Sequence, residues 1–226
     1  PEYVRPYYNG DSVFPYRAND PGLVVLPCNR TGVVTASQIE LTPGFHQWWE
    51  RSVTSWEANR TSDRMSLLER LDYQSGLTKQ FPIPQTRVVY NRAGMHIVAA
   101  KLYDRRAIVA NGLYWASVRT EAEANYMCAI LNAPITTELA RPFMSYGKDE
   151  RDIHKAPWEL AIPMFDEANP THARLSELGA AVEGIVARFA INPDVHFSAT
   201  RRHIRQQIEL APEGSEIDEI VYELIS

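Results

Sequence analysis

Cysteine is scarce in this chain: Cys28 and Cys128 are the only two among 226 residues. They are far apart, and Cys128 sits inside an apolar helical pattern, so both read as reduced core thiols. A disulfide framework and a thiolate metal site are excluded. Long apolar runs are missing as well. None approaches the ~20 residues that a membrane span needs. The opening Pro1-Glu-Tyr-Val-Arg5 has neither the charge nor the apolar stretch of a signal peptide. The expected setting is the cytoplasm, with no membrane partner. An initiator methionine is also lacking, and Tyr3, Val4, Tyr7 and Tyr8 follow at once, so the chain is expected to be part of a longer one.

The signatures of catalysis are equally sparse. There is no Gly-x-Gly-x-x-Gly loop and no phosphate loop. Asn132-Ala-Pro134, Asn169-Pro170 and Asn192-Pro193 each lack the second proline and the aromatic residue of an adenine methyltransferase motif, and they read as helix or turn punctuation. His46, His96, His154, His172, His196 and His203 show no metal-ligand spacing, and no cysteine or acidic neighbour completes a zinc set. The acids of Asp149-Glu-Arg-Asp152 read as a solvated turn. No motif marks a hydrolase or nuclease centre.

Excess positive charge is absent too. Lys and Arg number 23 against 28 Asp and Glu, a net charge of −5. Its distribution is uneven. Residues 1–86 carry 8 basic and 9 acidic side chains, residues 87–158 carry 10 and 7, and residues 159–226 carry 5 and 12. The centre is therefore at +3 and the tail at −7, the pattern expected if the centre faces a duplex and the tail faces protein or water.

What is present is a clear alternation of periods. Turn signals such as Asn19-Asp-Pro-Gly22 and Asn29-Arg-Thr-Gly32 break the first forty residues into short strands and loops. Trp48, Trp49, Val53 and Trp56 then fall at helical spacing, as do Met65, Leu68 and Leu71 within Ser62–Gln74; two helices meeting through buried aromatic faces are expected. Strands are expected at Arg87–Tyr90, Met95–Lys101, Arg106–Ala110 and Leu113–Val118, with Asn111-Gly112 as a hairpin turn. Thr120 and Glu123 form a capping box for a helix running to about Asn132. A charged loop, Ser145–Pro157, precedes a short strand at Trp158–Pro163. Three helices close the chain: one capped by Asn169, one at about Ser198–Leu210, and one after Ser215. The fold class expected is α+β, a mixed-sheet domain over residues 1–165 with packed helices, followed by a helical C-terminal extension over 166–226.

Recognition chemistry remains. Arg92, Lys101, Arg105 and Arg106 fall at turns between the expected strands, while Arg141, Lys148, Arg151, His154 and Lys155 gather around the charged loop, with Ser145 and Tyr146 as neutral donors. Basic side chains on loops of a rigid sheet suit phosphate contacts and bidentate arginine contacts to guanine.

Several segments, taken in order, resemble a known family. They are Arg5-Pro-Tyr-Tyr-Asn-Gly10, Leu68-Glu-Arg-Leu-Asp-Tyr73, Leu77-Thr-Lys-Gln80, Arg87–Gly94, Asn111-Gly-Leu-Tyr-Trp115, Tyr126–Asn132, Arg141–Gly147, Ala161-Ile-Pro163 and Glu216–Tyr222. Together they resemble the C-terminal target-recognition region, including the TaqI-like specificity domain, of bacterial type IIG and type II restriction-modification adenine DNA methyltransferases. The resemblance implies a domain that binds double-stranded DNA, reads its sequence and positions it for an upstream methyltransferase domain. The eleven residues named above would be its DNA contacts. It implies no catalysis and no cofactor in this segment; S-adenosylmethionine would belong to the parent protein, a methyltransferase with possible endonuclease activity. The alternative is a protein-interaction or scaffold module that does not bind DNA.

Overall fold

The run Arg87-Val-Val-Tyr-Asn91 is rich in β-branched and aromatic residues, and in the computed structural model it is a strand buried along its whole length. The structure describes residues 2–146 and 151–226. In chain order the elements are β1 (Val4–Tyr8), β2 (Val13–Phe14), β3 (Arg17–Ala18), β4 (Gly22–Val25), α1 (Ala36–Glu40), α2 (Pro43–Asn59), α3 (Leu67–Leu71), β5 (Arg87–Asn91), β6 (Ala99–Leu102), β7 (Ile108–Val109) and β8 (Leu113–Ser117). They continue with α4 (Glu121–Asn132), α5 (Pro134–Ala140), β9 (Ser145–Tyr146), β10 (Arg151–Asp152), α6 (Pro170–Val186), α7 (Phe197–Glu209) and α8 (Pro212–Ile225). This is the α+β class that the sequence suggests.

Two compact units alternate along the chain. The first contains Pro1–Tyr7, Gly22–Ile83 and Arg106–Ile108. In it β1 and β4 pair antiparallel, Val4 opposite Val25. Leu26, Cys28, Leu77, Ile83 and Ile108 make one small core, and Val34, Ile39 and Phe45 another. The tryptophan helix forms as expected, with Pro43 in its first turn. Its aromatic face meets different partners, however. Phe45 stacks on Tyr3 with ring centroids 3.9 Å apart, Trp48 stacks on Phe45, and the group packs against Ile39 of α1. The second expected helix is cut to Leu67–Leu71, because Ser66 and Glu69 form the capping box that starts it there. Trp56 is only half-buried.

The second unit holds Tyr8–Pro21, Pro84–Arg105 and Val109–Ser226. Its sheet runs β6-β5-β8, antiparallel throughout, with Val89 opposite both Ala100 and Trp115. Because β8 pairs with β5, Asn111-Gly112 is a corner and not the hairpin turn expected. The Thr120 side chain caps α4 as anticipated, whereas the Glu123 carboxylate accepts from the Arg119 N–H and not from Thr120. Asn132, at the end of the same helix, ties it to the edge of the sheet. Its side chain accepts from the Ala99 N–H and donates to the Ala99 carbonyl, both at 2.9 Å. Trp158–Pro163 is a 3-10 turn and irregular chain, not a strand. There the Trp158 indole donates to the Tyr90 hydroxyl, and the Pro163 carbonyl accepts from Tyr126.

The last three helices pack onto the sheet and α4 of the second unit. Leu175, Val182, Ile204, Ile217 and Val221 from the last three helices share one core with Val88, Tyr90, Ala99, Tyr126 and Ile130. Both cysteines are buried and free, their thiols pushed up by burial to about 11 for Cys28 and about 12 for Cys128.

One close approach within that core lies between α4 and α6. A Cβ on Gly179 would stand 2.5 Å from the Asn125 carbonyl oxygen, and a main-chain atom cannot swing aside. Gly179→Ala is therefore expected to destabilise the fold by roughly 1–3 kcal/mol, the usual cost of overpacking. Denaturant unfolding checks this, and an unchanged midpoint would show that the two helices are not held at that distance.

Candidate nucleic-acid interface

The β5–β6 connection is shaped by one amide. The Asn91 side chain accepts from the Val98 N–H at 2.7 Å and donates to the Ala93 and His96 carbonyls, both at 2.9 Å. Gly94 sits inside this turn at φ +145°, a conformation that favours glycine. Arg92, Met95 and His96 are thereby presented on a turn of fixed shape.

Facing this turn is the first half of α7. Phe197, Arg201, Ile204 and Ile208 recur at helical spacing, and the last three are buried. Arg201 is 7% exposed. It donates from Nε to the Val13 carbonyl at 2.9 Å, donates from Nη2 to the Gly10 carbonyl, and its guanidinium lies over the Phe197 ring. With Arg201 turned inward, Arg202 is exposed and Arg205 half-buried.

Between turn and helix lies a cleft of about 640 Å³. Arg92, Arg201, Arg202 and Arg205 line it with His96, His196 and Ser198, while Asp11 is its single carboxylate. Burial disfavours the charge on Arg205 and Arg202 adds repulsion, only partly offset by Glu209. Among the described residues Arg205 has no hydrogen bond or ion pair. His96 is held below the usual histidine range by burial, then by Arg205 and Arg141, against a weaker pull from Glu138. A bound anion would relieve this crowding of cations.

From Arg92 the contacts continue to the β9–β10 ribbon. Ala93 bridges Asp152, the His154 N–H donates to the Arg92 carbonyl at 3.0 Å, and the Arg92 side chain lies 3.9 Å from the Asp152 carboxylate. The His154 carbonyl accepts from Tyr90, and its ring lies 5.2 Å from that of Tyr114. His154, Lys155 and Ser145 are exposed.

The residues expected as contacts thus divide. Arg92 lines the cleft, Arg141 is near enough to His96 to repel its charge, and Ser145, His154 and Lys155 lie on or just after the ribbon. Tyr146 and Arg151 contribute their backbone to the ribbon, Arg151 opposite Tyr146. Lys148 lies outside the described residues. Arg105 is exposed at the opposite end of the β5–β6 ladder, where Arg87 faces Leu102. Arg106 belongs to the first unit and donates to the Val4 carbonyl.

Lys101 sits within β6 and not at the turn expected for it. Its side chain is 3% exposed, with Nζ 2.6 Å from Glu183, 2.6 Å from Asn125 and 3.3 Å from Glu121. Burial alone would lower its pKa, but the bonds to Glu183 and Tyr103 outweigh this and raise it. Among the described residues no group of three or more His, Cys, Asp or Glu side chains could hold a metal. No helix of the described residues is long and apolar enough to cross a membrane.

The arginines of α7 are hidden in the sequence by the acidic excess of the tail around them. The signal available was the spacing of Arg201, Arg202 and Arg205 beside Phe197, Ile204 and Ile208 on one helix. For Lys101, Lys101→Met is expected to lower stability by about 3 kcal/mol, since it leaves buried acceptors uncompensated, with DNA affinity per folded molecule unchanged. Urea unfolding and a binding titration check this together. Parental stability with lost binding would make Lys101 a contact after all.

Among solved structures the chain is similar, over 98% of its length, to a type IIL restriction-modification enzyme, MmeI, determined in complex with DNA; the TM-score is 0.65 and the identity 13%. A looser likeness, with TM-score 0.45 and 13% identity, is to the type IIG restriction endonuclease BpuSI, over 99% of this chain and 26% of that one. No protein-family model matches the sequence, and no curated protein does. The chain spans 28% of the length of MmeI, and at this identity what the two share is a fold.

Proposed function

We propose that this chain is a sequence-specific DNA-recognition domain of a restriction-modification adenine methyltransferase, acting in the cytoplasm. It would hold double-stranded DNA in register for a methyltransferase domain elsewhere in a longer protein. The observation that carries this reading is the cleft of the second unit, where four arginines and two histidines meet one carboxylate in a chain of net charge −5. Local concentration of cation against a global excess of acid is what phosphate binding requires. The shared fold with part of an enzyme solved on DNA supports the reading, as do the residue patterns that resemble target-recognition regions.

In this reading Arg202 and Arg205 contact phosphates and set the register. Arg92, standing on the rigid Asn91 turn, reaches base edges, and the ribbon with His154 and Lys155 follows the backbone further along. Methyl transfer and S-adenosylmethionine belong to the parent protein, as would any endonuclease.

Replacing Arg202 and Arg205 together with Ala is expected to weaken duplex binding and flatten the plot of log K against log salt by roughly 2, if each neutralises one phosphate. Fluorescence anisotropy across a salt series measures it, with circular dichroism to confirm folding. An unchanged slope in the folded variant would place the duplex elsewhere, and no salt-dependent binding by the parent chain would favour a scaffold role.

A further inference from the structure

Met95 is a large apolar side chain, 52% exposed, on a turn whose other members line an arginine-rich cleft. The turn itself is not loose. Besides the three Asn91 side-chain bonds, the Arg92 N–H donates to the Gly112 carbonyl at 3.0 Å, and the Ile97 N–H donates to the Thr137 hydroxyl at 3.1 Å. A Cβ at Gly94 would stand 2.9 Å from the Asn91 side-chain nitrogen, so the closed turn leaves that position to glycine. The fold thus holds the backbone of residue 95 firmly while leaving its side chain half in water. Such an arrangement contributes little to stability and preorganises a contact.

Resting on the DNA-binding reading above, we propose that Met95 is a specificity-determining residue that packs against the 5-methyl group of a thymine in the major groove. Arg202 and Arg205, lining the same cleft, hold the flanking backbone. Thymine's methyl is the one apolar group that a base edge presents in that groove. A flexible, polarisable thioether suits it, because it can follow the methyl without demanding a single rotamer. Arginine and histidine neighbours favour a polyanion over an apolar protein surface as the occupant.

The test uses the full 226-residue chain. Preferred duplexes are selected from a randomised pool, and each thymine of the consensus is then replaced singly by deoxyuridine, which removes only the methyl group. At one position the parent chain should bind the uridine duplex about fourfold more weakly, the worth of burying one methyl group. Met95→Ala should bind the thymine and uridine duplexes equally while keeping the parental salt slope. Met95 is exposed, so this variant should fold, and circular dichroism confirms that it does. If every uridine duplex binds the parent like its thymine counterpart, or if Met95→Ala keeps the fourfold discrimination, the assignment is wrong while DNA binding stands. If the parent binds no duplex in a salt-dependent way, the underlying reading falls and takes this one with it.

Discussion

The cleft depends on where a single guanidinium is held. Arg201 is pulled into the second unit by the carbonyls of Val13 and Gly10 and covered by the Phe197 ring. A cation so placed fixes the rotation of α7 about its own axis. With Arg201 inward, Arg202 and Arg205 have to project toward the Asn91 turn. If Arg201 pointed to solvent, the same three arginines would be an ordinary charged helix face, worth little to stability and aimed at nothing.

The wall opposite is built on the same economy, a polar side chain doing the work of main chain. Asn91 supplies three hydrogen bonds to a connection that no strand ladder reaches, and Asn132 supplies two to the edge strand Ala99–Leu102. Both amides satisfy backbone groups that would otherwise be buried without partners, an omission that costs about 1–3 kcal/mol each. The result is a rigid support with basic and apolar side chains at its rim. Recognition needs that combination, because a reader must be held still while its tip stays accessible.

Much of the fold was legible in the sequence, and for definite reasons. The helices capped by Thr120 and Asn169 announce themselves through a side-chain acceptor followed by an apolar stripe, and both caps form. Central strand residues 87–91 are visible as a β-rich run. Pairing was less legible, since Asn111-Gly112 has the composition of a hairpin turn whether or not its flanking strands become neighbours. Burial of a charge was hidden as well. Lys101 lies in a run of small apolar residues, and only the arrival of Glu183 from 82 positions further along explains why it points inward. The site was half legible: Arg92 and the Ser145–Lys155 segment could be found by local charge, whereas the α7 arginines could be found only by reading a helical period within an acidic stretch. The Asn91 lock that holds the backbone at Met95 is a tertiary feature without a local signature.

The central claim is that the Asn91 turn and the first half of α7 form the face that meets DNA. Amide hydrogen exchange of the full chain, with and without saturating duplex, tests it most directly. The account predicts new protection at Arg92–His96 and across His196–Arg205, with little change in Leu67–Gln80 of the first unit. Protection confined to the first unit, with the turn and α7 exchanging as in the free chain, would contradict it.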